Sequence, residues 1–327
     1  MMHILIVKIS SMGDVIHNLP VITDIYNHFP NAEIDWVVEE GFADIVKLHP
    51  KVNCVIPIAF RRWKRNLLTR NTINEIADTV KNLRGKQYDC ILDTQGLLKS
   101  ALICLCARGH RFGRDWQSNR EAFASLFYQH RFNVEFSQHA VNRGRELTAM
   151  ALKYPIPTSP PDYGLAPKQL AANIDARLRL PKSYAMCLHA TSRDSKLWPV
   201  KNWIELGKAL AKQGFTFVLP WGNNVEFERA QTIATSLTEA VILPQLDLKS
   251  LAEVTAGAKA AVGVDTGLIH LAVALNVPSI AIYTDTDPML NGAYASKNCI
   301  AVNIGGQSIT PSVNEALQAF ATLSLTN

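Results

Sequence analysis

Short apolar runs and helix-spaced apolar positions alternate along the whole chain. Residues 4–9, 33–38, 52–58 and 88–93 are mainly apolar, bounded by turn or helix signals, and each predicts a strand buried on both faces. Over 14–29, Val15, Leu19, Ile22, Ile25 and Tyr26 fall at helical spacing, with Pro20 predicted to kink that helix. Four prolines within 154–163 cannot continue a helix and read as a stiff connector. Beyond it the rhythm restarts, with strand-like runs at 184–189, 215–219, 240–243, 260–264 and 279–283 and helical patterns at 201–212 and 225–237. This alternation predicts βα units on parallel sheets. The expected architecture is α/β, two doubly wound Rossmann-like domains (1–160 and 170–311) facing a cleft. The terminal segment 312–327 reads as a helix and is a candidate to pack back on the first domain. In such folds ligands bind at the carboxyl ends of the strands, so the chemistry is sought in the loops that follow them.

Composition narrows the classes. With 327 residues, 48% hydrophobic and 19% charged, the chain is neither disordered, fibrous nor a small disulfide scaffold. A net charge of +5 is too small to argue for nucleic acid, though it suits an anionic substrate or surface. The six cysteines form no CxxC pair and no zinc spacing, and read as buried reduced thiols. Lys8 interrupts the first apolar run, so it does not read as a secretory signal. The run at 100–107 falls far short of the ~20 residues of a spanning helix. The expected location is cytoplasmic, at most peripheral to a membrane.

Four loops could carry chemistry. The first, Ser10-Ser11-Met12-Gly13-Asp14, ends a strand and opens a helix. Its single glycine falls short of the GxGxxG dinucleotide fingerprint. Asp14 suits either a first-turn helix carboxylate or a general base. In the second loop, Thr191, Ser192, Arg193 and Lys196 place two hydroxyls and two cations where a diphosphate could bind; a solvated loop before a helix is the alternative. The third, Pro220-Trp221-Gly222-Asn223-Asn224-Val225-Glu226, offers Glu226 to ribose hydroxyls or to its own helix dipole. In the fourth, Asp265 and Thr266 are read as caps, Gly267 permits close approach and an Ala-rich helix follows. That makes an anion site with a carboxylate beside it. His270, one turn in, is either packed core or functional.

Two further features need weighing. Asp285-Thr286-Asp287 has the DxD form of some metal-binding glycosyltransferases, but Pro288 follows and no other ligand type is near in sequence, so a structural turn is expected. Arg61-Arg62-Trp63-Lys64-Arg65 is the densest charge run, either a solvated face or a grip on an acidic acceptor. Arg114, Arg120, His139, Arg143 and Arg145 add cations to the same half.

Taken together, Ile6-Val-Lys-Ile-Ser-Ser-Met-Gly-Asp14, Trp36-Val-Val-Glu-Glu-Gly41, Arg61-Arg62-Trp63 and Val264-Asp-Thr-Gly-Leu268 resemble the heptosyltransferase I branch of glycosyltransferase family 9. The likeness runs nearly end to end, including Asp115-Trp116-Gln117, Gln138-His-Ala-Val141 and Leu219-Pro-Trp-Gly222. It implies a GT-B fold, and transfer of L-glycero-D-manno-heptose from ADP-heptose to the inner Kdo of Kdo2-lipid A. It further implies inversion, no metal or other cofactor, no nucleic acid, and transient contact with the cytoplasmic leaflet of a Gram-negative inner membrane. By position, Asp14 and Lys196 take catalytic roles, Asp14 as the general base. Thr191, Ser192, Lys196, Glu226, Asp265, Thr266, Gly267, Leu268 and His270 line the donor. Ser11, Gly13, Arg61, Arg62, Lys64, Arg120, His139 and Arg143 face the acceptor. One departure stands out: the family's usual Gly-Pro-Thr-Asp-Pro is here Thr284-Asp285-Thr286-Asp287-Pro288. The rival readings are a heptosyltransferase II with another core acceptor, a nicotinamide-dependent oxidoreductase and a non-catalytic anionic-surface binder.

Overall fold

A computed structural model describes residues 1–323 of the protein. The chain divides into two compact units, 1–164 and 165–327. The first carries β1 (His3–Val7), β2 (Glu33–Glu39), β3 (Cys54–Ile58), β4 (Gln87–Asp93), β5 (Arg108–Arg114) and β6 (His130–Phe132). The second carries β7 (Tyr184–Leu188), β8 (Thr216–Leu219), β9 (Ala240–Ile242), β10 (Ala260–Val264), β11 (Ser279–Tyr283) and β12 (Ala301–Gly305). All pairings within each sheet are parallel, in the orders β3-β2-β1-β4-β5-β6 and β12-β11-β10-β7-β8-β9. Read from the other edge, the second order repeats the first. Each sheet therefore reverses direction at one point, between β1 and β4 and between β7 and β10, and there the loops diverge to leave room for a ligand.

The central strands are apolar on both faces and fully buried, as in Ile4, Leu5, Ile6 and Val7. Three strands escaped the sequence reading: β5 and β12 mix polar and apolar positions, and β6 has only 3 residues. The predicted kinked helix over 14–29 is two helices, Met12–His17 and Leu19–His28, meeting at Asn18. Pro20 lies in the first turn of the second, where its missing N–H costs nothing, so it starts a helix rather than bending one.

The terminal helix, Val313–Thr322, packs on the second sheet. Its Val313, Ala316, Ala319 and Phe320 complete the core of the second sheet, with Phe320 edge-on to Phe215 at 5.3 Å. The last residues of the predicted segment, 324–327, lie outside the described residues. Of the cysteines, Cys90, Cys104, Cys187 and Cys299 are buried as expected, whereas Cys54 is exposed and Cys106 half-buried. Among the described residues no helix is long and apolar enough to cross a membrane.

Candidate active site

In the first unit, the reversal point holds Asp14. Its carboxylate Oδ2 accepts from the Ser11 amide at 2.9 Å and the Ser11 hydroxyl at 3.0 Å. Its Oδ1 faces Lys8 Nζ at 3.9 Å, and the side chain keeps 30% exposure. The first-turn reading of Asp14 is realised, and its side chain still reaches solvent. Burial opposes its charge, but Lys8, the Ser11 donors and Arg120 outweigh burial and hold the carboxyl below its ordinary value. Lys8 is the buried partner. Burial pushes its ammonium down to about 8 against the pull of Asp14, and it donates to the Thr94 carbonyl at 3.2 Å.

The β4 loop shapes this point from the other side. Gln95 Oε1 accepts from the Ile9 and Ser10 amides at 3.0 and 3.1 Å, and Lys99 Nζ donates to Ser10 Oγ at 2.9 Å. Arg114, buried, donates to the Thr94 and Gln95 carbonyls. Arg143 is depressed by burial and by Arg114 while feeling Asp14, so Arg114, Arg120 and Arg143 share one field with the carboxylate. Gly13 lies in the same first turn.

The other first-unit candidates have local duties. His139 caps the helix Ala140–Leu152, its Nδ1 accepting from the Val141 amide at 3.2 Å, and its ring lies edge-on to His17 at 5.1 Å. Arg61 sits over the Phe42 ring, and its amide donates to Glu39. Arg62 is exposed and paired with Glu40 and Glu75 at 3.2 and 2.9 Å. Lys64 is exposed on the same helix, Phe60–Arg65. Arg145 is a core ion pair with Asp24 at 2.7 Å, with no opening to an acceptor.

In the second unit, the reversal point gathers the second and fourth loops. Lys196 Nζ lies 2.5 Å from Asp265 Oδ2, Thr286 Oγ1 donates to the same oxygen at 2.6 Å, and Thr191 Oγ1 donates to the Asp265 carbonyl at 2.8 Å. Burial opposes the Asp265 charge, and its hydrogen bonds to Lys196 and Thr286 outweigh burial and keep its carboxyl below the usual range. The caps expected of Asp265 and Thr266 are not made. Lys196 draws the Asp265 carboxylate away, and Thr266 makes no side-chain bond to the helix Gly267–Ala274 that follows. The amides opening that helix are left uncapped by side chains. Leu268 is half-buried, and His270 is buried and feels Asp265. Ser192 is exposed at the loop tip.

Glu226 occupies the first turn of the helix Asn224–Ala234, where its Oε2 accepts from the Gly222 amide at 2.7 Å. The helix reading is therefore realised. Trp221 is engaged through Nε1 with the Leu243 carbonyl at 2.6 Å and a ring contact to Phe227. In the DxD segment, Asp287 accepts from the Met289 amide as a cap, and Asp285 accepts from Ser195 Oγ at 2.7 Å. Thr284 Oγ1 donates to the Ser195 carbonyl at 2.8 Å. The two residues that depart from the family pattern therefore both grip Ser195.

Sequence reasoning missed Gln95, Lys99, Thr286 and Arg229. Arg229 donates through Nε to the His189 carbonyl at 3.2 Å and through Nη2 to the Trp198 carbonyl, the two ends of the second loop. Lys8, also missed as a site residue, did give a local signal, a cation inside an apolar run.

Comparison with known proteins agrees with this geometry. The profile of glycosyltransferase family 9 (heptosyltransferase) matches residues 76–318. Lipopolysaccharide heptosyltransferase 1 of Pseudomonas aeruginosa is 46% identical over 294 residues, 90% of this chain and 81% of the relative. The enzyme of the same name from Escherichia coli O18:K1:H7 is 43% identical over 323 residues, 98% and 97% of the two chains. Among solved structures, E. coli heptosyltransferase WaaC with ADP superposes with a TM-score of 0.90 at 42% identity, covering 98% of this chain and 99% of that one. The WaaC structure with ADP-2-deoxy-2-fluoro heptose gives 0.87 at 41%, with the same coverage. The two doubly wound α/β domains are those of the GT-B fold that the sequence implied. The chain belongs to glycosyltransferase family 9, the heptosyltransferases, and is an enzyme of lipopolysaccharide biosynthesis.

Proposed function

We propose that this enzyme transfers L-glycero-D-manno-heptose from ADP-heptose to the inner Kdo of Kdo2-lipid A, inverting the anomeric centre and using no metal. The observation that carries the reading is Asp14: a carboxylate held ionised in the first turn of the helix after β1, partly open to solvent and ringed by cations. Its Oδ1 takes the proton of the acceptor hydroxyl as that oxygen bonds to the anomeric carbon. The bond from that carbon to the diphosphate oxygen breaks, and ADP leaves with the electron pair. Negative charge on the leaving group is met by Lys196, Thr191, Ser192 and the uncapped amides of the helix from Gly267.

Glu226 holds the ribose, and Asp265, Thr266, Gly267, Leu268 and His270 lie against heptose and phosphates. Ser11, Gly13, Arg61, Arg62, Lys64, Arg120, His139 and Arg143 meet the acceptor's carboxylates and phosphates. Catalysis takes place at the cytoplasmic face of the inner membrane, through peripheral contact. The test offers ADP-heptose with Kdo2-lipid A, and separately with already heptosylated acceptor, reading product anomeric configuration and the effect of a chelator. Transfer only to the heptosylated acceptor overturns the assignment of acceptor; loss of activity on chelation overturns metal independence.

A further inference from the structure

The first unit gathers large uncovered apolar side chains in one place. On the helix Leu98–Cys106, Leu98, Leu102 and Leu105 recur at helical spacing and face outward, Leu102 with 53% exposure. The adjoining 3-10 stretch Ala122–Phe127 meets that helix through Ala124 and Ala101, with Tyr128 in the same small core. It leaves Phe123 and Leu126 at 61% and 57% exposure. Trp116 stands edge-on to Phe123 at 5.0 Å, and the Leu98 amide donates to Glu121 at 2.7 Å, closing the patch on itself. A soluble surface rarely groups so many large apolar side chains without a partner.

Cations rim the patch. Arg108 follows the helix and is exposed, Arg111 donates to the Phe127 carbonyl, and Arg120 precedes Glu121. Lys99, on the same helix, lies 5.5 Å over the ring of Phe60, the first residue of the helix that bears Arg61, Arg62, Lys64 and Arg65. An apolar centre within a cationic margin matches a bilayer surface with anionic headgroups: apolar side chains enter the acyl boundary while the cations remain at phosphate level. The placement is apt, because Lys99 also donates to Ser10 beside Asp14.

We infer that this face, built on Leu98, Leu102, Leu105, Trp116, Phe123 and Leu126, docks the enzyme on an anionic lipid bilayer. The docking rests on the peripheral membrane contact proposed above and names the face that makes it; it is measured without donor or acceptor, so its failure leaves the proposed transfer reaction and its acceptor standing. The full chain is sedimented with vesicles of phosphatidylethanolamine and phosphatidylglycerol, and with phosphatidylcholine alone.

Binding is expected to the anionic vesicles, weakening with salt. The triple variant Leu102→Ser/Phe123→Ser/Leu126→Ser should lose about tenfold or more in partitioning. Its melting curve checks folding. Independently, brominated lipid should quench wild-type tryptophan emission, and Trp116→Phe should remove most of that quenching. The inference is overturned if the wild type ignores anionic vesicles, or if the folded triple variant binds as well as wild type. It is equally overturned if light scattering finds a dimer that the triple variant abolishes, since a second copy would then own the face.

Discussion

Lys196 and Asp265 are engaged with each other, Nζ to Oδ2 at 2.5 Å. An incoming anion competes for a cation that already has a partner, and it also meets the Asp265 carboxylate. Asp265→Asn should therefore bind ADP several-fold more tightly, while Lys196→Ala should weaken ADP about tenfold, on the order of 1.4 kcal/mol. Calorimetric titration with ADP reads both. Weaker ADP binding by Asp265→Asn would show that the carboxylate orients Lys196 more than it competes for it.

Asp14→Asn should lose about 10²-fold or more in turnover while still binding ADP. Lys8 tests the electrostatics. Because Lys8 is the leading favourable cause of the lowered Asp14 carboxyl, Lys8→Met should raise it. The acid limb of kcat/KM should then move to higher pH. A wild-type limb in that variant would remove Lys8 from the account.

Arg229 ties the carbonyls of His189 and Trp198, and so fixes the span of the loop bearing Thr191, Ser192 and Lys196. Arg229→Ala should raise the donor KM about tenfold with a smaller change in kcat, and destabilise the protein by about 2 kcal/mol. Arg229→Lys, keeping charge but not the fork, should recover only part of each. Equal loss in KM and kcat would instead mark a general folding defect.

Two buried histidines make stability depend on pH. His49 and His189 are each pushed down to about 4, by burial first and, for His189, then by Arg229. A histidine whose folded value lies below its unfolded one contributes stability that is present above the unfolded value, about 6.5, and lost as pH falls through the folded one. Each should cost about 2 kcal/mol between pH 8 and pH 5. Denaturant melts across that range should flatten in His189→Gln relative to wild type; an unchanged slope would count against His189 as a contributor.

How much of this could be read from the chain follows burial and distance. The central strands announced themselves because both faces are buried and the runs are apolar. Arg108–Arg114 did not, since its polar positions break the run. Asp14, Thr191, Lys196 and Asp265 were legible because each stands just after a strand. Gln95, Thr286 and Arg229 were not: they act on backbone or side chains 86, 21 and 40 positions away, and only the folded sheet makes them neighbours. The Thr284-Asp285 departure is the same lesson in reverse, since its use became visible only as two bonds to Ser195.

The repeated strand order has a consequence for how such enzymes diversify. Each sheet has its own core and its own ligand-facing loops, so changes to one recognition surface need not perturb the other. If donor and acceptor divide between the units as proposed, grafting residues 165–327 from a relative with a different sugar nucleotide should exchange the leaving group while inheriting the original acceptor, a recombination that point mutation alone could scarcely achieve.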